Sequence, residues 1–200
     1  MAKFEEAYKV VKNFEGGYAN IKSDKGGETY AGIARNIFPE NDVWTYIDFM
    51  KRTKFQNGIP RNTVFPDISG QVENFYRGLW NENNLQYVNS QKVATLIFDY
   101  LVHSGPRGIK NVQKVLRVEP DGLIGPVTLS AINNRDASAL YSEIIKEREK
   151  FLESLIAKDP TQEKFRAGWI SRINFLSDMN GINFSLLVVL FLILILTSIL

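Results

Sequence analysis

The sequence predicts a mainly α-helical chain with a small glycine-rich turn or β-hairpin after the first helix and a transmembrane helix at the C-terminus. Three observations predict it. Phe4, Ala7, Tyr8, Val11 and Phe14 recur at three- and four-residue spacing, the pattern of an amphipathic helix. A stretch rich in glycine follows, with Gly16-Gly17 and then Gly26-Gly27. After Asp178 no charged residue remains, and residues 182–200 are nearly all Leu, Ile, Val and Phe. A bilayer requires a span of about 20 apolar residues.

Gly16-Gly17 is expected to close the first helix, because glycine readily takes the left-handed conformation. Glu15 then becomes its last helical side chain. The helix dipole disfavours a carboxylate there by roughly 0.3–1 kcal/mol, and partial desolvation acts in the same direction. A glutamate held protonated in this way is a candidate general acid. A surface glutamate at a helix end is the plain alternative.

Further along, Asp42 to Met50 gives a short apolar pattern, and Pro60 and Pro66 bracket a loop. Asp67 or Ser69 is placed to cap a helix through Val72, Phe75, Tyr76, Leu79 and Trp80. Val93 to Val102 reads as the central buried helix, with Asp99 inside it as a site residue or a structural acceptor. An Asp121-Gly122 turn and Pro126 announce a helix through Thr128 to Ile132. Leu140 to Ile156 makes a long helix ending near Pro160, and Phe165, Trp169, Ile173 and Leu176 make the next.

Composition removes several classes of function. The chain of 200 residues buries one sizeable core, or a core plus an appendage. Its net charge of +2 does not indicate a nucleic-acid partner. With no cysteine and one histidine, His103, thiolate chemistry and metal sites built from several histidines are excluded. No phosphate-binding loop or dinucleotide fingerprint is present, so no cofactor is expected. Met1 to Glu6 lacks the apolar stretch of a signal peptide.

Glu15-Gly16-Gly17-Tyr18, then Asn20, Asp24, Gly26-Gly27, Thr29 and Gly32-Ile33 resembles the signature of glycoside hydrolase family 108. These are bacterial and phage N-acetylmuramidases, some known as secretion activator proteins. Phe98-Asp99 through Ser104-Gly105-Pro106, and Asp121-Gly122 with Ile124-Gly125-Pro126 and Thr128-Leu129, are similar to that family's second half, a predicted peptidoglycan-binding region. Gly168-Trp169-Ile170 with Arg172-Ile173 resembles its closing helix. Two departures stand out. Ile21-Lys22 replaces the family's Asp-Pro, and His103 replaces an asparagine before Ser-Gly-Pro.

The resemblance implies a lysozyme-like helical fold that cleaves the β-1,4 bond between N-acetylmuramic acid and N-acetylglucosamine. It places the muramidase region at 1–91 and the peptidoglycan-binding region at 92–178 in the same helical core, while the transmembrane helix at 182–200 is read from the apolar run alone. Glu15 is the implied general acid. Asp24 stabilises the oxocarbenium-like transition state or activates a water, as in two-carboxylate glycosidases, and Thr29 positions that water. For Asp24 plain turn chemistry is the alternative. Substrate contacts are expected from Tyr18, Asn20, Tyr76, Trp80, Asp99 and His103. Core packing is the alternative for the aromatic pair, and a hydrogen-bonded structural role for His103. The expected partners are peptidoglycan glycan strands, the membrane through the C-terminal helix, and a pore or secretion machinery. The expected localisation is membrane-anchored, acting on the wall for lysis or secretion. Three rivals stay open: a non-catalytic wall-binding secretion accessory, a lytic transglycosylase, and a pore-forming membrane protein.

Overall fold

The computed structural model describes residues 1–21 and 26–179. It divides into two compact units, Lys3–Gln86 and Met1–Ala2 with the chain from Tyr87 onward.

In the first unit, α1 (Phe4–Lys12) buries Phe4, Ala7, Tyr8 and Val11, the stripe its periodicity dictates. Phe4 stacks on Tyr8 and meets Trp80 edge-on, while Tyr8 packs on Tyr76. A three-stranded antiparallel sheet follows in the order β1 (Tyr18–Asn20), β2 (Glu28–Tyr30), β3 (Ile33–Ala34). Its register pairs Tyr18 with Tyr30 and Tyr30 with Ile33. Ala31 (φ 46°) and Gly32 (φ 78°) form the two-residue β2–β3 turn. Positive φ at both central positions is what a type I′ hairpin turn requires. α2 (Val43–Thr53) buries Val43, Trp44 and Ile47. A short 3-10 turn (Pro66–Ile68) leads into α3 (Ser69–Glu82), which buries Val72, Tyr76 and Trp80. Neither Asp67 nor Ser69 caps α3; the Asp67 carboxylate instead accepts from the Tyr46 hydroxyl at 2.6 Å.

In the second unit, α4 (Gln91–Ser104) is buried at every position from Val93 to Leu101, as a helix apolar all round must be. α5 (Pro106–Leu116), α6 (Pro126–Asn133), α7 (Ala137–Lys158) and α8 (Arg166–Met179) complete it. A Cβ at Gly108 would collide with the Tyr100 carbonyl, so glycine permits the close approach of α5 to α4. Gln113 ties down the α5–α6 connection, donating to Asp121, to the Leu123 carbonyl and to Thr128, and accepting from Gly122 N–H.

The expected fold is corrected in two respects. The structure after α1 is a three-stranded sheet rather than a lone turn or hairpin. The transmembrane helix expected at 182–200 lies outside the described residues, and among the described residues no helix is long and apolar enough to cross a membrane. α7 has the length but carries Glu143, Lys146, Glu147, Arg148, Glu149 and Lys150. The membrane attachment and membrane-anchored localisation built on that segment therefore have no support.

Candidate active site

α1 ends at Lys12, and tighter bonds carry the chain beyond it. Phe14 N–H donates to Val11 at 2.9 Å and Glu15 N–H to Lys12 at 3.3 Å, an i→i−3 pattern that narrows the final turn. Glu15 thus lies three residues past the helix rather than in its last turn. Neither Gly16 nor Gly17 has a left-handed φ, which corrects the expectation that such a glycine stops α1. Gly17 is needed for a different reason: a Cβ there would collide with the carbonyls of Asn62 and Thr63. That loop pairs with the start of β1, Tyr18 N–H donating to Thr63 at 2.8 Å and Asn62 N–H to Tyr18 at 2.7 Å.

Between α1, the β2–β3 turn, the 62–66 loop and α3 lies a cleft of about 560 Å³ whose walls include Glu15, Tyr8, Tyr30, Tyr76, Asn62 and Phe65. Glu15 is half-buried in it. Its Oε2 and the Tyr76 hydroxyl converge on the Gly32 Cα so closely that a Cβ there would strike both. Tyr76 donates to the Ala31 carbonyl at 2.8 Å. The Tyr30 hydroxyl accepts from Phe65 N–H at 2.8 Å and donates to the Phe65 carbonyl at 3.1 Å, fixing the opposite lip. Burial raises the Tyr30 phenol above its ordinary value. Burial, with the charges of Glu73 and Glu15, does the same for Tyr8. The aromatic walls beside Glu15 therefore stay neutral.

A charged network braces the sheet against α2. Glu28 accepts from the Tyr18 hydroxyl at 2.6 Å and from Arg35 at 2.8 Å, and pairs with Lys51. Arg35 also makes a two-pronged pair with Asp48 and lies over the Trp44 ring. Burial pushes the Glu28 carboxyl up, but Lys51, Tyr18 and Arg35 outweigh it and hold it below the ordinary value. Burial and the Glu28 hydrogen bond push Tyr18 up to about 12.

The structure brings Glu15 and Tyr76 together in the cleft. Tyr18 is buried, its hydroxyl engaged by Glu28, with Asn20 hydrogen-bonded to it from the exposed end of β1. Thr29 alternates to the opposite face of β2 from Tyr30, and its hydroxyl donates to the Gly27 carbonyl at 3.3 Å. Trp80 is only 1% exposed and packs in the core. Asp24 lies outside the described residues. Asp99 and His103 belong to the second unit. Asp99 is fully buried between Arg148 (2.6 Å) and Arg172 (2.7 Å). His103 meets Trp169 edge-on, its buried Nδ1 without a hydrogen-bond partner among the described residues.

Sequence reasoning missed Tyr30, Asn62 and Phe65, and read Tyr8 only as core. Tyr30 stands between Thr29 and Gly32 of the motif, which is a local signal. The 62–66 lip, more than 45 residues from Glu15, has none.

A model of the glycosyl hydrolase 108 family matches residues 8–105, and one described as a predicted peptidoglycan domain matches residues 107–174. Among solved structures, that of SagA from Brucella abortus is similar over 90% of this chain and 95% of its own, at a TM-score of 0.66 and 26% identity. No curated protein matches the chain significantly. The fold, the carboxylate-bearing cleft and these matches define a glycoside hydrolase directed to peptidoglycan. The first part of the chain, residues 8–105, is a glycosyl hydrolase family 108 domain, and a predicted peptidoglycan domain follows at 107–174.

Proposed function

We propose that the protein is an N-acetylmuramidase that cuts the β-1,4 bond between N-acetylmuramic acid and N-acetylglucosamine, with Glu15 as general acid. The observation that carries this reading is the half-buried Glu15 carboxylate in a cleft of neutral phenols, against the Gly32 backbone. A carboxyl group removed from water is favoured in its neutral form, the form that can protonate a leaving oxygen. Glu15 donates its proton to the glycosidic oxygen as the bond to the anomeric carbon breaks, and the ring develops positive charge.

Asp24, nine residues on in the segment joining β1 to β2, supplies the second carboxylate. It faces that positive charge or activates the incoming water. Water delivers hydroxide to the anomeric carbon, and Glu15 recovers its proton from solvent. Thr29 contributes through the Gly27 turn that its hydroxyl holds. Tyr76 orients Glu15, and Tyr30 fixes the facing lip. The reaction would open the wall for lysis or for protein secretion.

The test is digestion of purified peptidoglycan by the full chain and by Glu15→Gln, with released ends identified by mass spectrometry. Reducing muramic acid ends that vanish in the variant support the proposal. Anhydro ends would make it a lytic transglycosylase. Binding without cleavage in both proteins would leave a non-catalytic wall-binding protein.

A further inference from the structure

Beyond the ridge formed by Phe65 to Gln71 lies a second concavity, a shallow groove of about 570 Å³ lined by Asp42, Thr45, Tyr46, Phe49, Arg52 and Gln71. Phe49 projects from α2 and is 50% exposed, although an aromatic ring gains by leaving water. Tyr46 beside it is held by its 2.6 Å hydrogen bond to Asp67. Nothing in the Glu15 chemistry uses these residues.

The partition between groove and cleft is thin. The Tyr46 ring meets Phe65 edge-on, with centroids 5.6 Å apart. Phe65, Pro66 and Ser69 line the cleft, while Tyr46 and Gln71 line the groove. A polymer lying in the cleft therefore needs to cross only this ridge to reach Phe49.

We propose that the groove is an accessory subsite for the glycan backbone, taking a sugar of the same strand away from the bond being cut. A sugar ring offers a flat face of C–H groups to an aromatic platform, here Phe49. Its rim of hydroxyl and acetamido groups suits planar polar side chains, here Asp42, Arg52 and Gln71. Among the lining residues Asp42 and Arg52 balance, and Asp67 on the Tyr46 hydroxyl adds only negative charge, which suits an uncharged amino sugar. The anionic stem peptide would call for an excess of cations. The inference rests on the muramidase reading and deepens it.

Kinetics of the full chain on polymeric peptidoglycan and on a short muropeptide-free tetrasaccharide test it. Phe49→Ala is expected to raise KM on the polymer about tenfold with kcat unchanged, the mark of a lost binding contact, and to leave the tetrasaccharide kinetics as they are. Phe49→Tyr should restore the polymer KM. Unchanged polymer kinetics, or equal losses on both substrates, would overturn the subsite.

A second measurement does not depend on cleavage. In the Glu15→Gln full chain carrying Phe49→Trp, a stem-free glycan octasaccharide should shift the added indole fluorescence, relative to Glu15→Gln alone, and a free stem peptide should not. A response to the peptide and none to the glycan would also overturn it. If the wild type releases no sugar ends, the muramidase reading fails, and the fluorescence titration still decides the groove.

Discussion

The Tyr76 hydroxyl donates a hydrogen bond to the Ala31 carbonyl at 2.8 Å and closes on the same Gly32 Cα as Glu15 Oε2. With that proton committed, the phenol presents lone pairs to its neighbours. An acceptor beside a carboxyl group favours the protonated acid. Tyr76→Phe should therefore lower kcat on peptidoglycan by about tenfold and move the alkaline limb of the pH profile to lower pH. Its stability cost should be about 1 kcal/mol, from the Ala31 carbonyl left without that donor. A fall in rate with an unmoved alkaline limb would confine Tyr76 to shaping the cleft.

Gly32 is constrained twice over. Its φ of 78° disfavours any side chain, and a Cβ would strike both Glu15 Oε2 and the Tyr76 hydroxyl. Gly32→Ala should cost about 1–2 kcal/mol of stability for the left-handed backbone alone. Displacing Glu15, the proposed general acid, by even an ångström should reduce kcat by about 100-fold or more. Thermal unfolding together with peptidoglycan turnover checks both effects. A variant that loses stability but keeps full turnover would show that Glu15 tolerates displacement.

The parts legible in the sequence are those written in local spacing. The α1 stripe follows from neighbours three or four residues apart, the buried α4 from an unbroken apolar run, and the start of α6 from Pro126. Glu15 was visible because its motif is contiguous. The end of α1 was misjudged because a glycine pair reads equally well as a left-handed cap or as room for a crossing chain, and here Asn62 and Thr63 cross. The β2–β3 turn was obscured by Ala31, a residue that seldom takes positive φ. The Tyr30 clamp joins residues 35 apart, and the Asp99 pairs join residues 49 and 73 apart. Such partners are set by tertiary packing, which no local pattern encodes.

Asp99 holds two buried guanidinium groups, with Arg148 1% and Arg172 7% exposed. Burial pushes its carboxyl up, but Arg148 and Arg172 outweigh it and hold it below the ordinary value. Removing one partner of such a cluster leaves charge buried without compensation, at about 3–5 kcal/mol. Asp99→Asn should therefore lower the denaturant midpoint of the second unit sharply, while Glu15→Gln leaves that transition in place. A variant of normal stability that has lost affinity for glycan would instead make Asp99 a substrate contact.

His103 should set the acid sensitivity of that unit. Burial, reinforced by the charges of Arg148 and Arg172, pushes its imidazole down to about 3. In the unfolded chain it takes up a proton near the ordinary value of about 6.5. Between these two values the unfolded state holds one more proton than the folded one, so stability falls as pH drops. The slope is about 1.4 kcal/mol per pH unit, and it ends near pH 3, where the folded imidazole also titrates. Asp99, held below 3.8, withdraws its contribution only under that value. Glu149, which burial raises above its ordinary value, takes up a proton in the folded state above pH 4.5 and opposes the fall, so the fall that remains between about pH 6.5 and 4.5 is the share of His103. His103→Leu removes the titrating group. Denaturant unfolding followed by the emission of Trp169, whose ring lies 6.3 Å from His103, should show a steep loss between pH 7 and pH 4.5 in the wild type and a flatter one in the variant. Parallel pH profiles for the two proteins would mean that His103 already titrates near its ordinary value in the folded state, and that its burial is relieved by solvent.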